Sequence, residues 1–112
     1  MTAEHRIISE WVARGSSVLD LGCGSGELLE VLVREKSVAA QGIEIDEAKI
    51  YDCVARGLSV HHGDLDAGLS EYSDASFDYV VLHQSLQQVI HPHKVLREAL
   101  RVGNKVIVGF PN

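Results

Sequence analysis

The apolar positions of this chain alternate between two periods. Ile7, Ile8, Trp11 and Val12 recur three and four apart, which predicts a helix over residues 3–14 that Gly15 stops. A short apolar run follows, "SVLDL" over Ser17–Leu21. Helical spacing returns near Ser25, with Leu28, Leu29, Leu32 and Val33 on one face. The same exchange then repeats. A strand is predicted over Ala39–Ile45. The next helix has Asp46 as its N-cap, Ile50, Cys53 and Val54 on one face, and Gly57 just past its end. A short strand spans Leu58–His61, and a polar connection rich in Gly and Asp leads to another over Phe77–Leu82. Pro92 suits the first turn of a helix with Val95, Leu96, Ala99 and Leu100 on one face. Gly103 ends it, and a last strand is predicted over Lys105–Phe110.

Strands joined by helices imply parallel pairing with right-handed crossovers. Strands such as "DYVVL" and "KVIVGF" are apolar almost throughout, as expected where helices cover both faces of a sheet. The pattern predicts an α/β fold, a doubly wound parallel sheet. Ligands in such sheets bind beyond the carboxyl ends of the strands. The polar clusters of this chain fall at those ends.

The most informative cluster is "VLDLGCGSGELLEVL", residues 18–32. Gly22, Gly24 and Gly26 form G-x-G-x-G, whereas the dinucleotide fingerprint needs its last glycine one residue later, where Glu27 stands. Without a Cβ the backbone can turn tightly and approach a ligand, and the following helix offers free N–H groups. Asp20 at the mouth sets the sign of the ligand. It repels a pyrophosphate and attracts an ammonium, by about 4 kcal/mol at 4 Å and an effective dielectric near 20. A nucleoside with a cationic amino-acid tail fits, and S-adenosylmethionine is such a molecule. Cys23 lies within the turn, where Asp20 opposes a thiolate, so it reads as a small packing residue.

Strand two ends in "GIEID". Glu44 lies 22 residues after Gly22 (44 − 22), near the offset at which an acid meets ribose hydroxyls. Ile45, which follows it, is a further candidate for cofactor contact, and Asp46 is explained as a cap. In "HHGDLDAGL", Asp64 can accept from an adenine amino group and the Leu65 N–H can donate to a ring nitrogen; a solvated turn acid is the plainer reading of Asp64, and still more of Asp66. In "LHQSLQQV", His83 and Gln84 stand where the ligand's tail would pass. His83 is the one acid–base side chain there, although a lone histidine usually serves as a hydrogen-bonded structural residue. His61, His62, His91 and His93 lack the spacing of a metal site.

Composition narrows the partners. The 112 residues suffice for one domain, with 46 % apolar residues and a net charge of −6. Basic runs and interleaved aromatics are missing, which argues against nucleic acid. No apolar run approaches the roughly 20 residues that span a membrane. Two cysteines without zinc or disulfide spacing point to a reducing, cytoplasmic setting.

Taken together, "VLDLGCGSG", "GIEID", "GDLD" and "FDYVVL" resemble the class I S-adenosylmethionine-dependent methyltransferases. "GDLDAGL", "SLQQV" and "VGFPN" narrow the resemblance to the methionine biosynthesis protein MetW family, over nearly the whole chain. The resemblance implies a Rossmann-like sheet of strand order 3-2-1-4-5. It implies S-adenosylmethionine at Asp20, Gly22, Cys23, Gly24, Gly26, Glu44, Ile45, Asp64, Leu65 and His83, with S-adenosylhomocysteine as product. It also implies association with homoserine O-acyltransferase, either as a methyltransferase or as a cofactor-sensing regulator. The family's methyltransferase fold has two further strands beyond strand five. This chain ends after "FPN", so a C-terminally truncated sheet is expected, with strand five as an apolar edge suited to pairing in a homodimer.

Overall fold

A computed structural model describes residues 2–83 and 85–110. Gln84, placed by sequence near the ligand's tail, lies outside the described residues. The elements run α1 (Ala3–Trp11), β1 (Ser17–Leu21), α2 (Glu27–Lys36), β2 (Ala39–Glu44), α3 (Glu47–Ala55), β3 (Val60–His62), β4 (Phe77–His83), α4 (Pro92–Val102) and β5 (Gly103–Gly109). The five strands are all parallel, in the order β3-β2-β1-β4-β5. The expected α/β sheet and its strand order are therefore what forms.

Strand alternation divides the sheet into two cores. Leu19 and Leu21 of β1, with Val80 and Leu82 of β4 and Ile43 of β2, pack against Val95, Ala99 and Val102 of α4. Val18 of β1, with Tyr79 and Val81 of β4 and Ile107 of β5, packs against Ile8 of α1, Val12, and Leu28 and Leu32 of α2. A smaller cluster joins Cys23, Leu29 and Cys53 and seats α3 beside α2. Strand positions 18 and 20, and 79, 81 and 83, therefore share the face that carries α1 and α2. That parity decides which polar residues meet at the strand ends.

The caps follow local chemistry. Thr2 Oγ1 accepts from His5 N at 3.1 Å and starts α1, and Asp46 Oδ1 accepts from Ala48 N at 3.0 Å and starts α3, as expected. Pro92 occupies the first position of α4. Helix α1 is shorter than predicted, because Val12 adopts an extended conformation and is fully buried. Its inward face is also different. Ile7/Trp11 and Ile8/Val12 form two stripes about 100° apart, and only one can face the sheet. Ile8 and Val12 turn inward with His5 and Ser9, leaving Ile7 and Trp11 46 % and 62 % exposed. Val33, Val54 and Leu100 are likewise outward on their helices. Strand β3 starts at Val60 rather than Leu58, and β5 follows α4 directly at Gly103.

Candidate functional site

At the carboxyl end of the sheet, the chain leaves β1 through three glycines in the left-handed region, Gly22, Gly24 and Gly26, with φ of 73°, 61° and 89°. They do different things. A Cβ on Gly22 would lie 2.8 Å from Ser85 Cβ, and one on Gly26 would lie 2.5 Å from Leu58 Cδ1 and 3.0 Å from Cys53 Sγ. Those two glycines permit close packing. A Cβ on Gly24 would meet nothing within 4 Å among the described residues, so this residue faces open space.

The turn is tied down from β2 and α3. Gly22 N and Cys23 N both donate to Ile43 O, at 2.8 and 3.1 Å. Gly24 N donates to Glu44 Oε1 at 2.8 Å, and the Cys53 thiol donates to Gly24 O at 3.2 Å. Glu44 Oε2 accepts from Ile45 N and Asp46 N, each at 3.0 Å. Three of the roughly four acceptor sites of the Glu44 carboxylate are thus taken by backbone N–H groups, and Oε1 keeps one for a ligand hydroxyl. Glu44 orders the glycine turn as well as facing the cavity, a role that its spacing from Gly22 does not reveal.

Two adjoining cavities open here. The larger, about 650 Å³, is lined by Asp20, Gly24 and Lys49 together with Glu4, His5 and His83. The smaller, about 270 Å³, is lined by Ile45, Gly63, Asp64, Leu65, Val89 and Ile90. They share Gly22, Glu44, Ser85 and Gln88 as a common wall. The sequence-predicted residues therefore collect into one two-lobed site: Asp20, Cys23, Gly24 and His83 in the larger lobe, Ile45, Asp64 and Leu65 in the smaller, Gly22 and Glu44 between. Gly26 lines neither lobe, and its contribution is to the shape of the turn.

Asp20 carries the strongest electrostatic signal. It is 3 % exposed, and its Oδ1 is buried without a hydrogen-bond partner among the described residues. Burial, and then the neighbouring Glu44 carboxylate, push its carboxyl up to about 7. A buried acceptor left unmatched is costly unless a donor arrives. Burial, followed by Asp20, also pushes the Cys23 thiol far above its ordinary value, so this cysteine is no nucleophile. Ser85 is 5 % exposed and its Oγ likewise has no partner among the described residues.

Other expected residues are partly engaged elsewhere. Asp64 Oδ1 accepts from Asp66 N at 3.0 Å and caps a short 3-10 turn over Leu65–Ala67, at the rim of the smaller lobe. Asp66, read from sequence as a solvated acid, accepts from Ile90 N and His91 N and so closes that lobe on its far side. The backbone bond to Ile90 and then that to His91 hold its carboxyl below the ordinary range. Helix α1 was missed altogether as a wall of the site. Its one sequence signal is that His5 and Ser9 share a helical stripe with Ile8 and Val12, a polar pair on an inward face.

Comparisons with known proteins place the fold and the family. The sequence model of the methionine biosynthesis protein MetW family matches residues 2–112. The bifunctional methionine biosynthesis protein MetXA/MetW of Rhodopirellula baltica is 36 % identical over all of this chain, which spans 19 % of that protein. A solved S-adenosylmethionine-dependent methyltransferase from Archaeoglobus fulgidus superposes on 98 % of the chain with a TM-score of 0.86 and 25 % identity, the match covering 51 % of that structure. The [4+2]-cyclase SpnF superposes on 89 % of the chain with a TM-score of 0.76 and 29 % identity, over 40 % of its own length. The fold is thus methyltransferase-like, on a chain spanning at most about half of these relatives, and by its match from residue 2 to residue 112 the chain belongs to the methionine biosynthesis protein MetW family.

Proposed function

We propose that this chain binds S-adenosylmethionine across the two lobes. The observation that carries the reading is Asp20, a buried carboxylate with an unmatched oxygen beside a glycine turn that faces open space. An ammonium supplies the missing donors and the opposite charge. Asp20 would hold the amino group of the amino-acid tail, and Lys49 on the same wall suits its carboxylate. Glu44, with one acceptor site left on Oε1, would take a ribose hydroxyl. Asp64, Leu65 and the apolar Ile45 in the smaller lobe would receive the adenine. When bound, the molecule supplies an electrophilic methyl group, whose transfer depends largely on holding donor and acceptor in line. Two buried free cysteines suit a reducing compartment such as the cytoplasm.

A second reading, a cofactor-sensing partner of homoserine O-acyltransferase, draws on the MetXA/MetW fusion, in which a related segment shares a polypeptide with a second methionine biosynthesis activity. The [4+2]-cyclase on the same fold is a reminder that fold does not fix the reaction. Calorimetric titration with S-adenosylhomocysteine, with NAD as control, tests the shared premise. Saturable binding of the first alone is expected. No binding by a folded chain refutes cofactor binding and leaves the partner reading without its sensing role.

A further inference from the structure

The larger lobe holds a second group of side chains that cofactor binding does not use. His83 ends β4 on the same face of the sheet as Tyr79 and Val81, directly above the core formed with α1 and α2. Its Nδ1 lies 3.2 Å from Glu4 Oε2, within ion-pairing distance although off the line of a hydrogen bond. His5, one residue further along α1, meets the His83 ring edge-on at 5.0 Å between centroids. Burial, and then His83, hold His5 below the ordinary histidine range. On the other side, β5 pairs with β4 so that Gly109 stands opposite His83, and a Cβ there would lie 3.0 Å from His83 Nδ1.

The ring is therefore enclosed at its Nδ1 edge by Glu4, His5 and Gly109. Nδ1 itself is buried, so the exposure that the side chain keeps, 15 %, lies on its other atoms. When one ring nitrogen is engaged by a carboxylate, the tautomer is fixed with its proton there, and the other nitrogen becomes a proton acceptor. Apo geometry of such pairs is often loose and tightens when ligand binds. The other acids around the lobe, Asp20, Glu27 and Glu44, disfavour an anionic second ligand.

We propose that His83 is the acid–base residue of this lobe and that Glu4 is the positioning residue that fixes its imidazole, the pair serving an N–H or O–H nucleophile that is uncharged at the attacking atom. The inference rests on the cofactor reading above, with S-adenosylmethionine as methyl donor. The nucleophile forms a bond to the methyl carbon, the carbon–sulfur bond breaks and leaves its electron pair on sulfur, and the nucleophile's proton passes to His83 Nε2. Glu4 stabilises the charge that then develops on the ring. This reassigns His83 from holding the cofactor to serving a second substrate.

The test uses side-chain 15N NMR of the histidines in the full chain saturated with S-adenosylhomocysteine, alongside calorimetry. The wild type is expected to show His83 as the Nδ1–H tautomer, and Glu4→Gln to lose that preference. Both Glu4→Gln and His83→Asn are expected to keep S-adenosylhomocysteine affinity within about twofold. An Nε2–H tautomer in the wild type, or a spectrum unchanged by Glu4→Gln, overturns the positioning role. A loss of affinity of about tenfold or more in folded His83→Asn makes His83 a cofactor ligand and overturns the proposal. Failure of the folded wild type to bind S-adenosylhomocysteine refutes the cofactor reading, and the proposal falls with it.

Discussion

Replacing Asp20 by asparagine separates stability from recognition. The Asp20 carboxyl rises from an ordinary 3.8 to about 7 on folding, first through burial and then through Glu44. A carboxyl with the higher pKa in the folded state holds its proton better when folded. Its favourable contribution is complete below about pH 4 and is lost as pH climbs through 7. At about 1.4 kcal/mol per pH unit, a rise of some three units costs the wild type about 4 kcal/mol by pH 8. Roughly 3 kcal/mol of that accumulates between pH 5 and pH 8. Asparagine keeps the shape, cannot ionise, and leaves a buried amide unmatched at a cost of about 1–3 kcal/mol that does not vary with pH. The melting temperature of Asp20→Asn minus that of the wild type should therefore increase with pH. For a domain of this size, where 1 kcal/mol moves the midpoint by about 4–8 °C, the increase between pH 5 and pH 8 is about 10 °C or more. Thermal melts of both proteins at pH 5, 6, 7 and 8, at constant ionic strength, measure it. At pH 8 the variant should also bind S-adenosylhomocysteine about tenfold more weakly or worse, having lost the ammonium's counter-charge. Melting temperatures that stay parallel across pH would refute the burial argument, and an unchanged affinity would refute the placement of the ammonium.

Four further substitutions probe the glycine turn, Glu44 and the segment before β4. Gly24→Ala and Gly26→Ala both force a left-handed residue at a cost of about 1–2 kcal/mol, but only the Gly26 Cβ collides, with Leu58 and Cys53; thermal melts should show the greater loss for Gly26→Ala, and calorimetry the loss of S-adenosylhomocysteine binding for a still-folded Gly24→Ala. Glu44→Gln replaces one carboxylate oxygen with a donor amid three backbone N–H groups, and should cost about 1.5–3 kcal/mol in urea unfolding together with weaker S-adenosylhomocysteine binding; wild-type stability would show that the glycine turn does not depend on this acid. Arg101 donates to Leu69 O and Tyr72 O and pairs with Glu98 and Asp74, so Arg101→Ala should speed amide hydrogen exchange over residues 69–75 while leaving S-adenosylhomocysteine affinity unchanged; unchanged exchange would show that the segment is held by its own packing.

What could be read from sequence, and what could not, divides along a physical line. The sheet was legible because each strand carries its own apolar run and each helix its own cap, so Asp46, Gly57 and Pro92 could be assigned from their neighbours alone. The acids at the strand ends were legible for the same reason: Asp20 and Glu44 terminate apolar runs, where an ionisable group needs a purpose. Helix α1 was not. It precedes β1, and no local feature states which strands it crosses, so the two stripes Ile7/Trp11 and Ile8/Val12 were indistinguishable until the sheet chose one. With that choice came Glu4 and His5, which enter the site only because His83 emerges on the same face as Val18 and Asp20. The double duty of Glu44 was hidden likewise, since the Gly24 N–H that it accepts from is 20 residues away and becomes its neighbour only when β1 and β2 align with Asp20 opposite Gly42. Gly42 permits that alignment, because a Cβ there would strike Cys23 Sγ at 2.6 Å. A binding site at a strand crossover is thus specified twice, once by the residues at each strand's end and once by the register that brings the ends together; the first is written locally in the chain and the second is not.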